Sequence, residues 1–211
     1  MKNKIFNFCL FVSMRIVLSL LGNFRLLSDP RILILIFFTG WLIFSQPEFA
    51  IRKHKEINRQ DQNSLELILV CSQLSVILTL IDWSYFHFFP VNFKNLIIGL
   101  CLLFSGIVFR IWAIKTLGHF FTTRVVCRPD QVLIITGPYK YFRHPSYTGA
   151  LMVFLGVPVL FSSVVGFTFT FVFMGLAYYR RIKAEEEALI KIFGDEYSNY
   201  MKATFGLVPG I

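Results

Sequence analysis

Charge is scarce in this 211-residue sequence: Asp, Glu, Lys and Arg make up 16% of it, against 55% hydrophobic residues that include 25 Phe. With a mean hydropathy of +0.63, an ordinary soluble domain is excluded and the chain reads as an integral membrane protein. Cysteine is sparse too. Cys9, Cys71, Cys101 and Cys127 are scattered without CxxC spacing, which points to neither a metal site nor a disulfide framework. His54, His87 and His119 lie far apart without the helical spacing of metal ligands, so no metal is expected. A Gly-x-Gly-x-x-Gly loop is also missing, which removes the usual sign of a soluble dinucleotide-binding domain.

What charge there is has a sign and a pattern. Lys and Arg number 21 against 12 Asp and Glu, a formal +9, and the basic residues cluster between apolar segments. That distribution sets membrane topology and contact with anionic lipids, and does not suggest nucleic-acid binding.

A membrane crossing takes roughly 20 apolar residues, so the chain has room for about five to six. Residues 5 to 21 form the first apolar run; no small-residue cleavage site follows it, and it reads as a helix and not a signal peptide. Further spans fall at 31 to 49, 65 to 89 and 95 to 115, with Asp82 and Arg110 near span ends. The apolar stretch from 148 to 179 is longer than one crossing needs and has Gly156, Pro158, Ser162, Ser163 and Gly166 near its middle. A helical hairpin with its tip at Phe161 to Phe167 fits it. From Tyr178 to Tyr200, Leu189, Phe193 and Tyr197 recur four apart among Glu and Lys residues, predicting an amphipathic tail helix broken at Gly194. Lys and Arg counts put the loops 50 to 64, 115 to 147 and 180 to 211 together on the cytosolic side. There the tail helix folds back on the 115 to 147 loop and encloses a pocket walled by the hairpin.

The chemistry-bearing residues sit in that pocket. They are Leu117-Gly118-His119-Phe120-Phe121, then the string Gly137-Pro138-Tyr139-x-Tyr141-x-Arg143-His144-Pro145-Ser146-Tyr147-x-Gly149, and beyond the hairpin Arg181-x-x-x-Glu185-Glu186-Glu187 with Phe193-Gly194-x-Glu196-Tyr197-x-x-Tyr200. In this order, over roughly residues 95 to 205, they resemble the isoprenylcysteine carboxyl methyltransferase family, part of a wider group of membrane methyltransferases that includes phospholipid N-methyltransferases. Composition and apolar length imply an all-α polytopic membrane bundle of one domain, 1 to 211, with N-terminal helices over 1 to 90. The resemblance, which does not reach those first 90 residues, implies a methyltransferase-like core at 91 to 211. It further implies S-adenosylmethionine as methyl donor, contacted by Arg124, Gln131, Val132, Leu133, Ile134, Tyr139, His144, Pro145, Ser146, Tyr147 and Glu185, with Arg181 as the substrate-contacting, catalytic arginine. At Arg124 this chain departs from eukaryotic members, which usually carry an uncharged residue.

The residue types suit that donor independently of the family. Its ammonium, sulfonium, carboxylate, ribose and adenine call for acceptors and an aromatic wall, which Glu185, Tyr139, Tyr147 and His144 provide. A carboxylate acceptor needs no general base, so catalysis would rest on alignment and exclusion of water. Arg181 would hold that carboxylate, with the acceptor's lipid tail between helices, and it disfavours a cationic amine. Carboxyl O-methylation of an isoprenylated cysteine or similar lipophilic carboxylate is therefore expected. The alternatives are a phospholipid N- or small-thiol S-methyltransferase, an NADPH-dependent sterol-type reductase, and a non-enzymatic membrane protein. The Glu185-Glu186-Glu187 run disfavours an anionic cofactor.

Plainer readings also fit the site residues. Arg181 and Glu185, four apart, suit a surface ion pair. His144 could cap a helix that starts at Pro145, Tyr139 and Tyr147 could anchor at the interface, and Arg143 suits a phosphate or topology anchor. Expected partners are membrane lipids and a lipophilic substrate. Methyl acceptor, host membrane and oligomeric state are not legible in the residues.

Overall fold

A computed structural model describes residues 29–45, 64–86, 90, 92–121 and 132–207. The apolar run 5 to 21, most of the 50 to 64 loop, Arg124 and Gln131 lie outside the described residues. Among those described there is no strand, only one parallel bridge between Phe142 and Phe205.

The helices follow the expected spans. They are α1 (Pro30–Ser45), α2 (Ser64–Ile81), which widens into a π turn at Asp82–Phe86, α3 (Phe93–Leu117), α4 (Pro145–Leu160), α5 (Val164–Phe169), α6 (Gly175–Phe193) and α7 (Asp195–Ala203). A second π turn, Thr170–Met174, joins α5 to α6 into one continuous arm. Ser64–Phe86 and Phe93–Phe120 are each long and apolar enough to cross a membrane, and Pro145–Leu160 is a shorter apolar helix. Large side chains such as Phe104, Val108, Phe171 and Phe173 point outward, as lipid-facing surface does.

Helices α3 and α4 pack against each other along their length, and glycine makes that possible. A Cβ on Gly106 would stand 2.6 Å from the Gly149 carbonyl oxygen, and one on Gly149 2.7 Å from that of Gly106. Further along the seam, a Cβ on Gly99 would meet the Leu160 amide at 2.7 Å, and one on Gly156 the Leu103 side chain at 3.0 Å. Gly99 and Gly106 are seven apart, as are Gly149 and Gly156, so each pair lies on one helix face, two turns apart. Small residues at such spacing let backbones approach where lipid supplies no hydrophobic drive between helices.

Around this seam, Ile32, Leu35 and Phe38 of α1, Val76, Leu80 and Trp83 of α2, Leu103 of α3 and Val153, Val157 and Leu160 of α4 form one core. A second cluster joins Cys71 of α2, Ala150 of α4 and Met174, Ala177 and Tyr178 of the α5–α6 arm, with Tyr147 and Leu207 against it.

The hairpin is present, but its tip is shorter than expected. The chain reverses at Phe161–Ser163, and α5 starts at Val164, inside the stretch predicted as tip. Ser163 caps α5 by accepting from the Gly166 amide at 2.9 Å. The buried Asp82 carboxylate in turn accepts from the Ser163 hydroxyl at 2.6 Å and the Val165 amide at 3.2 Å. A carboxylate at orphan helix amides is favourable, which explains how a charged residue is tolerated there. Gly194, with φ +55°, separates α6 from α7 as the sequence predicts.

Candidate active site

The site is built at the first turn of α4. Pro145 opens the helix, where its lack of an N–H costs nothing and its ring fixes the geometry, and His144 stands before it. This start is held from outside by the segment that follows α7. The Arg143 amide donates to the Phe205 carbonyl at 2.8 Å, the Phe205 amide to the Tyr141 carbonyl at 2.9 Å, and the His144 amide to the Gly206 carbonyl at 3.3 Å. The Thr148 hydroxyl adds a bond to the Leu207 carbonyl at 2.6 Å. From inside the bundle, Arg110 of α3, 6% exposed, donates to the Ser146 carbonyl at 2.7 Å.

Two adjacent carboxylates of α6 face this turn in different ways. Glu186 is sealed: it accepts from Arg143 Nε at 2.8 Å and stands 3.1 Å from His144 Nε2. Burial pushes its carboxyl up, but the hydrogen bonds and charges of His144 and Arg143 outweigh that and hold it below the ordinary 4.5. Glu185 is more open, its side chain 31% exposed against 14% for Glu186. One of its oxygens accepts from the Tyr147 hydroxyl at 2.7 Å and lies 3.9 Å from His144 Nδ1.

Arg181, one turn before Glu185, is 2% exposed, which removes the reading of a surface ion pair. Its Nε donates to the Tyr147 hydroxyl at 3.1 Å and its Nη1 to Ser64 of α2 at 3.1 Å. Tyr147 thus lies between the cation and the carboxylate. Its ring stacks on His144 with centroids 5.7 Å apart, and the tilted Tyr178 ring lies 5.4 Å from it.

Tyr139 is buried in a short 3₁₀ turn, Gly137–Lys140, and Tyr200 of α7 donates to its carbonyl at 2.6 Å. That depth corrects the interface-anchor reading. Burial, with Glu185 and Tyr200 adding to it and Arg110 opposing, pushes the Tyr139 phenol up. Burial likewise pushes Tyr200 up to about 12, Arg143 opposing. Both phenols therefore stay neutral donors near pH 7.

Of the other expected residues, Val132 is exposed in an irregular lead-in, and Leu133 and Ile134 beside it are half-buried. Pro145 and Ser146 are buried at the turn itself. Arg143 is corrected: besides Glu186 it bonds the Met201 carbonyl at 2.9 Å and the Thr204 carbonyl, so it clamps the tail to the site and is not a free topology anchor. Glu187 is exposed.

Known proteins resemble this chain in sequence and in fold. The isoprenylcysteine carboxyl methyltransferase (ICMT) family matches residues 97–191. The protein-S-isoprenylcysteine O-methyltransferase of Dictyostelium discoideum is 30% identical over 179 residues, covering 81% of this chain and 70% of that protein. The chain belongs to the isoprenylcysteine carboxyl methyltransferase family. The Xenopus laevis enzyme of the same name is 30% identical over 182 residues, of which this chain spans 61% of the length, and the Tribolium castaneum one is spanned over 41%. A solved structure of the eukaryotic intramembrane Ras methyltransferase ICMT superposes with a TM-score of 0.57 at 25% identity, covering 95% of this chain and 74% of that one. Membership makes this an integral membrane methyltransferase, which uses a methyl-donor cofactor.

Sequence reasoning missed several residues of this ICMT-family site. Ser64, Arg110, Tyr178 and the segment Thr204 to Leu207 all reach it. Arg110 gave a signal, a lone cation near a span end, whose direction only packing reveals. Ser64 and Leu207 gave none.

Proposed function

We propose that the protein transfers a methyl group from S-adenosylmethionine to the carboxylate of an isoprenylated cysteine or a similar lipophilic carboxylate, at the cytosolic membrane face. In this reading it is one domain of about five to six crossings, with residues 91 to 211 as its core. The observation that carries it is the pairing at Tyr147. A buried arginine and a half-open carboxylate are held on one hydroxyl at 3.1 and 2.7 Å, offering one site for an anionic acceptor and one for a cationic donor.

The residues fit the donor. Glu185 keeps an oxygen for an ammonium, Tyr139 and Tyr147 give an aromatic wall for the cationic centre, and Val132 to Ile134 with Arg124 and Gln131 would line the remainder. When bound, S-adenosylmethionine would supply its sulfonium methyl to a carboxylate oxygen attacking in line, the O–CH3 bond forming as the S–CH3 bond breaks, with S-adenosylhomocysteine leaving as a neutral thioether and no proton transferred. Arg181 holds the acceptor carboxylate by charge-assisted bonds. Tyr147 and Ser64 fix its guanidinium, so little reorganisation is left for the reacting geometry. Glu186 takes no part in the transfer: with Arg143 and His144 it keeps the first turn of α4 in place.

Incubation with methyl-labelled S-adenosylmethionine and a synthetic S-farnesylated cysteine tests the reading, and label is expected in an alkali-labile ester. Label in an alkali-stable amine product, or none with any prenylated cysteine, would overturn it.

A further inference from the structure

At the α3 edge of the same turn lie polar groups that the pairing at Tyr147 does not use. Arg110 is 6% exposed, and among the described residues its Nη1 makes its one hydrogen bond, to the Ser146 carbonyl. Among the same residues its buried Nε has no partner and no carboxylate forms an ion pair with it. A buried cation left this way is costly unless an anion joins it. Two phenols share the neighbourhood. Tyr139 and Tyr178 are 7% and 3% exposed, and neither hydroxyl has a hydrogen-bond partner among the described residues. The Arg110 charge acts on both, joined by that of Glu185 at Tyr139 and by that of Arg181 at Tyr178. Tyr139 thus lies within the fields of a carboxylate and a guanidinium of opposite sign.

We propose that Arg110, with the hydroxyls of Tyr139 and Tyr178, forms a carboxylate subsite that takes the amino-acid carboxylate of S-adenosylmethionine while Glu185 takes its ammonium. This rests on the methyl-donor reading above and assigns one buried arginine to each of the reaction's two carboxylates: Arg110 to the donor's, Arg181 to the acceptor's. Held at both ends of its zwitterion, the donor has its methionine arm fixed relative to Tyr147, beside which the acceptor binds. Arg110 touches the cofactor and not the reacting atoms. It is therefore a binding residue whose loss raises KM for the donor more than it lowers kcat.

Calorimetric titration of the detergent-purified full chain with S-adenosylmethionine and with its decarboxylated analogue, which lacks only the carboxylate, tests the subsite. In the wild type, removing the carboxylate is expected to weaken binding about 10- to 100-fold, as for a lost charge-assisted pair. In Arg110→Ala the two ligands should bind within about twofold of each other, the signature of coupling between the residue and that group. Should Arg110→Ala fail to fold for want of its bond to Ser146, Arg110→Lys and Tyr178→Phe serve. Each should shrink the ratio several-fold, and Glu185→Gln should weaken both ligands alike. A ratio unchanged in these variants, or a loss equal for both ligands in Arg110→Ala and Tyr178→Phe, would overturn the subsite. A wild type that binds neither ligand would instead overturn the methyl-donor reading itself.

Discussion

The two ends of the helical bundle both carry polar clusters, and they differ in how completely those clusters satisfy themselves. At the hairpin tip, Asp82 takes the Ser163 hydroxyl and the Val165 amide, Asn95 donates to Ser162 at 3.0 Å, and Arg31 pairs with Asp29 at 2.5 Å. The Arg31 Nη1 lacks a hydrogen bond among the described residues, but its guanidinium lies over the Trp83 and Phe161 rings at 4.9 and 5.5 Å. The cleft described there, between Asn92, Asn95, Pro158 and Phe167, has no ionisable side chain in its lining. At the α4 end, by contrast, a guanidinium nitrogen, two phenol hydroxyls and one oxygen of Glu185 have no partner among the described residues. Polar groups that close on one another hold a fold, and buried ones left open await a ligand.

The α3–α4 seam joins the two ends, so the largest effect should come from forcing it apart. Gly149→Leu drives a side chain into the Gly106 carbonyl and should cost about 3 kcal/mol or more, with thermal unfolding lowered and both ends lost together. Survival of methyl transfer in that variant would mean the seam is not what aligns the site.

Next in size, Arg181→Ala should lower turnover by about two orders of magnitude or more, since truncating a buried hydrogen-bonded charge costs roughly 3 to 5 kcal/mol. Donor affinity should stay within about threefold. An equal loss of donor binding would move Arg181 from the acceptor to the cofactor.

Glu186→Gln separates holding from binding within the site end itself. Because the folded carboxyl lies below its ordinary 4.5, its contribution to stability is complete above that value and is lost as pH falls through the depressed one. At pH 7 the variant should be about 2 kcal/mol less stable, and the two proteins should converge in acid. A gap that persists at low pH would show that the carboxylate's charge is not what stabilises.

The smallest effect sharpens the contrast between the ends. Asp82→Asn should cost about 1 kcal/mol of stability and leave donor affinity and turnover unchanged, as befits a cluster with no ligand to bind. Any fall in donor affinity there would break the division drawn above.

Much of this was legible in residues. The spans within the described residues, the hairpin, the Gly194 break and the return of the tail onto the Arg143–Tyr147 string follow from apolar length and periodicity, because in lipid backbone groups must be satisfied within helices. The burial of Arg181 was not legible, since its four-residue spacing to Glu185 suits a surface pair equally well, and the contacts that turn it inward, the hydroxyls of Tyr147 and Ser64 among them, are tertiary. Gly99, Gly106, Gly149 and Gly156 carried a readable heptad spacing, yet which helices it joins is a tertiary fact. Asp82 and Arg110 looked alike, each a single charge near a span end. Among the described residues Asp82 found one amide and a hydroxyl, whereas Arg110 found one carbonyl, and nothing in the flanking sequence distinguishes the two.

The central claim, that the open end is a cofactor site, is tested most directly by calorimetric titration of S-adenosylmethionine into wild type and Glu185→Gln, with NADPH titrated in parallel. The account predicts saturable binding of S-adenosylmethionine alone, weakened at least about tenfold in Glu185→Gln, where a charge-assisted partner is lost. Binding of NADPH in its place, or S-adenosylmethionine affinity indifferent to Glu185, would contradict it.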